Sequence, residues 1–223
     1  MKLASVTWPD VAAVAATTVL VIPLGSTEQH GPHLPLSTDT EVAVALANRL
    51  DAARSDVAVA PALAYGSAGE HAGFPGTLSI GQAALGLVVV ELVRSADDFA
   101  AVVIVCGHGG NVEPLTRAVD TLRQERRRVL AWTPHHYVDA HAGRSETSLL
   151  LALDAGRVQL DAAESGATQP LSELEPMLRA AGVRAVSPNG VLGDPSGASA
   201  DEGRLLLDAM GASLIDEVEK FLA

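Results

Sequence analysis

Carboxylates and imidazoles crowd into one glycine- and proline-rich stretch of this sequence, Gly25–Asp39, which reads GSTEQHGPHLPLSTD. Glu28, His30, His33 and Asp39 together offer the oxygen and nitrogen donors that suit zinc, iron or manganese. Glu28 and His30 are separated by one residue, so in an extended segment they point the same way and could face one pair of metals. Asp39 has two carboxylate oxygens with which to bridge such a pair. Singly, each is as easily a surface group; their combination in a loop leaving an apolar run argues for a site.

A second piece is Cys106–Asn111 (CGHGGN), where His108 follows an apolar run and opens onto a glycine turn. Glycines let the backbone approach a ligand closely, and the start of a following helix favours an anion or an oxyanion. A phosphate-binding turn with a spectator histidine fits that pattern too. A third piece is His141–Ser148 (HAGRSETS). There His141 reads as an acid/base group and Glu146 as a metal ligand, or as a plain capping carboxylate in a first helical turn. Asp139 is a candidate to orient His141. The stretch Ser67–Leu78 places Glu70 and His71 beside Gly73, Phe74 and Gly76 and reads as a substrate-lining loop. His33, between prolines, reads as a loop-shaping residue, and His135 and His136 as ordinary loop histidines. Cys106 reads as a buried strand-end residue, since no base is placed beside it to activate a thiolate.

These residues need elements to hold them. Thr18–Pro23, Val57–Ala60, Ala101–Cys106 and Val129–Trp132 read as buried strands. Helical patterns cover Thr40–Leu50, Ile80–Phe99 with Ser79 as its N-cap, Val112–Arg126, Ser145–Leu153 and Asp201–Leu222. Apolar strands alternating with helices predict an α/β fold with a mostly parallel sheet flanked by helices on both faces. The long Gly/Pro-rich loops Gly25–Asp39 and Pro188–Gly197 are expected to be functional. Sites in such sheets form at the carboxyl ends of strands, where the first loop and Gly107–Asn111 both begin.

At 223 residues and 48% hydrophobic, the chain suits one α/β domain with an ample core. Its 15 basic against 27 acidic residues give a formal charge of −12, which argues against nucleic acid or an anionic membrane as partner, since both need a basic face. One cysteine allows no internal disulfide, so the expected compartment is the reducing cytoplasm. The apolar N-terminal stretch carries Asp10 and runs straight into the first motif, so it reads as part of the domain rather than a leader. No apolar run is long enough to cross a bilayer.

On Pro23–Asp39, Gly107–Asn111 and His141–Ser148 the chain resembles the creatininase family of metal-dependent amidohydrolases, and the likeness runs from Val19 to the last helix. The resemblance implies a single creatininase-family domain over residues 1–223, commonly assembled as a hexamer. It also implies two divalent metals per subunit (Zn, Fe or Mn), with Glu28 and His108 on one, His30 on the other and Asp39 bridging. His141 falls at the family's catalytic histidine. The implied nucleophile is a hydroxide held between the metals, with backbone N–H groups of Gly109 and Gly110 facing the oxyanion. Creatininase itself carries a glutamate two positions after the histidine matching His108, where this chain has Gly110. That departure counts against creatinine and leaves a coordination position for which Glu146 is the candidate.

Within the family, Tyr65–Ser79, His141–Ser148 and Gly190–Gly197 are similar to the mycofactocin branch, whose members cleave one peptide bond to release a modified C-terminal Val–Tyr unit from a ribosomally made precursor. Glu70 and His71 then read as substrate-binding, with Gly109 and Gly110. Rival readings are a creatinine or formamide hydrolase of the same family and, from another class, a metal-binding protein that has lost catalysis. The presence of Glu28, His30, Asp39, His108 and His141 together argues against the last.

Overall fold

The computed structural model of the protein describes residues 1–135 and 137–223. Its centre is a four-stranded, wholly parallel sheet: β1 (Val19–Leu24), β2 (Val57–Val59), β3 (Ala101–Cys106) and β4 (Val129–Trp132), in the order β2-β1-β3-β4. β1 and β3 run in register from Val19 opposite Ala101 to Leu24 opposite Cys106, and every residue of both strands is buried. Strands covered on both faces lose the polar alternation of an exposed sheet, which is why they read as unbroken apolar runs.

The pleat sends alternate side chains to two cores. Val19, Val21, Val103 and Val105 pack on one face beneath α2 (Thr38–Ala53), α5 (Arg144–Asp154) and α8 (Ala200–Leu222). Leu20, Ile22, Leu24, Val102 and Ile104 pack on the other against α3 (Gly81–Arg94) and α4 (Val112–Gln124). Leu85, Leu115 and Leu122 seal that second layer, and each buried leucine contributes roughly 1.5–3 kcal/mol of apolar burial. α8 and α5 approach closely at Gly203, where a Cβ would stand 1.8 Å from the Ser148 carbonyl oxygen.

Several boundaries differ from the sequence reading. α2 starts at Thr38, so Asp39 belongs to a first helical turn rather than to the loop before it. α3 starts at Gly81 and ends at Arg94, short of Phe99. Ile80 is its N-cap, not Ser79, whose hydroxyl instead accepts from the N–H groups of Gly81 (3.2 Å) and Ala68 (2.9 Å). The sequence reading leaves out a short N-terminal helix, α1 (Trp8–Ala12), and the pair α6 (Leu171–Ala181) and α7 (Val183–Val186). In α6, Leu171, Leu174 and Leu178 follow helical spacing, but Pro176 interrupts the pattern and none of the helix's residues enters the main core. No helix among the described residues is long and apolar enough to cross a membrane.

From β1 the sheet grows one way to β2 and the other way to β3. The carboxyl ends of β1 and β3 therefore flank a topological switch point, where loops diverge and leave a crevice. Leu24 and Cys106 mark its floor.

Candidate active site

Four strand-end loops and the first turns of two helices converge over that floor. Asn111 joins two of the loops: its side-chain oxygen accepts from the Ser67 N–H at 2.8 Å and its amide donates to the Gly25 carbonyl at 3.0 Å. His33, buried, bonds Thr147 Oγ1 at 2.8 Å and so ties the first loop to α5. Burial, with help from His30, pushes the His33 imidazole down to about 4, so it is neutral and structural. Leu192, in the Pro188–Gly197 loop, exchanges backbone bonds with His141 (2.9 and 3.2 Å).

The structure brings Glu28, His30, Asp39, His108, His141 and Glu146 together, along with His71 and Glu70. Asp39 Oδ1 lies 3.0 Å from His30 Nε2 and Oδ2 lies 3.3 Å from His108 Nδ1. Glu28 faces His71 Nε2 at 3.2 Å through Oε1 and His108 Nε2 at 3.1 Å through Oε2. Glu146 Oε2 lies 3.9 Å from both His30 Nε2 and His141 Nδ1. Three groups have donor atoms close enough to share a cation: Glu28, Asp39 and His108; His30, His141 and Glu146; and Glu28, His71 and His141.

Backbone groups aim these rings. The Glu28 carbonyl lies 3.1 Å from His30 Nδ1, and the Gln29 carbonyl 2.8 Å from His141 Nε2. A carbonyl accepts and does not donate, so each bonded nitrogen carries a proton and the opposite nitrogen, Nε2 of His30 and Nδ1 of His141, faces the cluster. Asp139 does not orient His141. Its carboxylate instead accepts from the N–H groups of Arg144 and Ser145, capping α5. Ala142 adopts a left-handed φ of 51°, uncommon for a residue with a Cβ, and from there donates its N–H to Glu146 Oε2 at 2.6 Å.

The electrostatics describe a site that wants cations. Both carboxylate oxygens of Glu28 and Oδ2 of Asp39 are buried without an aligned hydrogen-bond donor. Buried carboxylates left this way cost several kcal/mol unless a positive charge compensates. Burial opposes charge on His30, yet the charge and hydrogen bond of Asp39, with Glu146 and Glu28 behind it, raise its imidazole to about 10. His108 is likewise held well above the ordinary range: burial opposes the proton, and Glu28, Glu70 and Asp39 outweigh it. Protons there occupy the positive positions that a divalent ion fills better. Burial raises Glu146 to about 7, with Asp39 and Glu28 adding to it against His30. Burial lowers His141 well below its ordinary value, helped by His30 and His71, so this ring rests neutral. The donor set, the orphaned oxygens and the proton-hungry imidazoles all fit divalent metals.

A cavity of about 320 Å³ opens onto the cluster. Glu70, His71, His108, Gly109 and Gly110 line it together with His141 and Glu146. Leu171, Leu178, Val183 and Leu192 form an apolar wall, contributed largely by the α6–α7 segment. Gly110 must stay bare, because a Cβ there would stand 2.0 Å from Glu70 Oε1 and 2.5 Å from His108 Nε2. Sequence reasoning missed Gln29, Asn111 and this wall. Gln29 sits inside the densest motif, between two candidate ligands, and that position was the available signal.

Cys106 is fully buried at the end of β3, and burial raises its thiol to about 11, which leaves it inert. His135 is exposed and stands apart from the cluster, with its ring 6.2 Å from that of Trp132. His136 lies outside the described residues.

Comparison with known proteins agrees with this geometry. The sequence profile of the creatininase family, described as creatinine amidohydrolase, matches residues 4–218. The chain is 48% identical over 211 residues to the mycofactocin precursor peptide peptidase of Mycolicibacterium smegmatis, covering 91% of this chain and 85% of that one. It is 28% identical over 252 residues to the creatinine amidohydrolase of Pseudomonas putida, covering 96% and 94%. A crystal structure of creatinine amidohydrolase superposes with a TM-score of 0.83 at 27% identity, covering 98% and 96%, and a creatininase described as the Mn form with 0.82 at 27%, covering 99% and 98%. A buried switch-point cluster of carboxylates and imidazoles, on a fold shared over nearly its whole length, makes this chain a member of the creatininase family and a metal-dependent hydrolase of carbon–nitrogen bonds.

Proposed function

We propose that the protein is a binuclear peptidase acting on the mycofactocin precursor, releasing its modified C-terminal Val–Tyr unit. The observation that carries this reading is the cavity itself, a metal-seeking cluster on one side facing the apolar wall of Leu171, Leu178, Val183 and Leu192 on the other. A peptide with branched and aromatic side chains has apolar surface to bury there, and a small polar ring such as creatinine has little. The name of the M. smegmatis relative, mycofactocin precursor peptide peptidase, supports the same substrate.

Glu28, Asp39 and His108 would hold one cation, and His30, Asp39 and Glu146 the other, with Glu146 in the role that a side chain at Gly110 cannot take. When bound, divalent cations supply a water acidic enough to deprotonate near neutral pH and polarise the scissile carbonyl. The protein's own residues handle the proton. His141 rests neutral with Nε2–H on the Gln29 carbonyl, so Nδ1 takes the proton of the attacking water. As the carbon–nitrogen bond breaks, Nδ1 returns that proton to the leaving nitrogen, giving a carboxylate-terminated fragment and a free amine. Gly109 and Gly110 line the cavity beside the cluster, where their N–H groups can meet the oxyanion. A homo-oligomer, hexameric by family likeness, belongs to the same proposal and is read by light scattering.

Incubating the zinc-, iron- or manganese-loaded protein with the modified precursor peptide, creatinine and a ring-opened formamidopyrimidine tests the substrate. Release of the C-terminal dipeptide from the first alone is the expected result. Turnover of creatinine or the formamide in its place would sink the peptide reading, and metal loading with no turnover of any of the three would revive the inactive metal-binding protein.

A further inference from the structure

We infer that the side chain of Gln29 is a positioning residue that fixes the tautomer of His71, so that His71 presents an N–H to the reaction centre while neighbouring His141 presents a lone pair. The side chain is buried and its amide orientation is decided by its contacts. Oε1 accepts from the Gly31 N–H at 2.9 Å, and Nε2 donates to the Gly190 carbonyl at 3.0 Å. The remaining amide proton points to His71 Nδ1 at 2.9 Å. A nitrogen that accepts cannot carry a proton, so the ring proton of His71 sits on Nε2. That N–H lies 3.2 Å from Glu28 Oε1 but makes no aligned hydrogen bond with it, so it is free for a ligand.

His141 shows the opposite arrangement from the same residue. The main-chain carbonyl of Gln29 takes its Nε2–H at 2.8 Å, leaving Nδ1 bare. The Gln29 amide nitrogen also stands 3.0 Å from His141 Nε2, but both of its protons are already placed on Gly190 and His71. Gly190 makes the arrangement possible: it holds a left-handed φ of 84°, and a Cβ there would stand 1.8 Å from Gln29 Oε1. A neutral imidazole N–H is a poor proton donor but a good hydrogen-bond donor, suited to the negative charge that develops on a carbonyl oxygen. His71 therefore stabilises the oxyanion, and the proton transfers belong to His141.

This inference deepens the hydrolase reading, but its primary readout needs no turnover. Imidazole ¹⁵N–¹H correlation spectra of histidine-labelled protein, as isolated and zinc-loaded, report which nitrogen of each ring is protonated. The expected wild-type result is Nε2–H on both His71 and His141. Gln29→Glu keeps the size but replaces the donor with an acceptor, so the His71 proton should move to Nδ1 while His141 is unchanged. Gln29→Ala should leave His71 a mixture of tautomers. With the peptide substrate, both variants should lose about tenfold or more in kcat at nearly constant KM and metal content. A wild-type His71 protonated on Nδ1, or a His71 tautomer indifferent to Gln29→Glu, overturns the inference even if hydrolysis is observed. Absence of hydrolysis in the wild type, with the tautomers as expected, would sink the peptidase proposal instead.

Discussion

Asp39 and His30 meet at 3.0 Å, Oδ1 to Nε2, while the second oxygen of Asp39 turns away toward His108 and finds no hydrogen-bond donor. One carboxylate at the start of α2 thus joins both halves of the cluster. Replacing it with alanine should empty both cation positions at once. In Asp39→Ala we expect metal content near zero by elemental analysis and hydrolysis reduced on the order of 10³-fold. Retention of both metal and activity would remove Asp39 from the site.

The raised imidazoles set the pH dependence of metal loading. His30, raised to about 10, holds a proton in the metal-free protein at neutral pH, and His108 is also raised. A cation must displace those protons, so the metal-free state binds more protons than the loaded one and affinity rises with pH. Each displaced proton contributes about a tenfold gain in apparent affinity per pH unit. Competition with a chelator across neutral pH should show a rising slope of one to two. A flat profile would mean that neither imidazole is a ligand.

Asp139 and His141 are near neighbours with separable jobs. Asp139→Ala removes the cap of α5 and should cost about 1 kcal/mol of stability, seen as a melting temperature lower by a few degrees. Because the Gln29 carbonyl orients His141, kcat should fall little. His141→Gln should do the reverse, leaving melting nearly unchanged and lowering kcat by about 10²–10⁴-fold. A large kcat loss in Asp139→Ala with intact melting would return the orienting role to Asp139.

Leu178 tests the apolar wall. It lines the cavity from α6 but lies outside the main core. Leu178→Ser should leave folding and metal content intact and raise KM for the peptide about tenfold, the equivalent of roughly 1.4 kcal/mol of lost apolar contact. An unchanged KM would place the substrate elsewhere.

Much of this protein was legible in its sequence because the relevant physics is local. The four strands are apolar runs, since a parallel sheet covered on both faces buries most of its side chains, and a glycine or proline follows each strand within two residues. Glu28, His30 and Asp39 stood out because their donor types lie within one short stretch of sequence, and His108 because it follows a buried strand on a glycine turn. Whether Glu146 capped a helix or faced a metal could not be read from spacing, since both roles place a carboxylate in the first turn. The fold sets Glu146 3.9 Å from His30 across the crevice, close enough to share a cation with His30 and His141, while its Oε2 also accepts from the Ala142 N–H beside the start of α5. The same holds for His71, brought against Glu28 from a separate loop, and for α6, whose leucines serve a cavity rather than a core. Above all, sequence shows which residues carry nitrogen and oxygen, but the side of a ring that holds its proton depends on the atom across from it. For His30 and His141 those atoms are the main-chain carbonyls of Glu28 and Gln29, and only the tertiary structure puts the Gln29 carbonyl opposite His141.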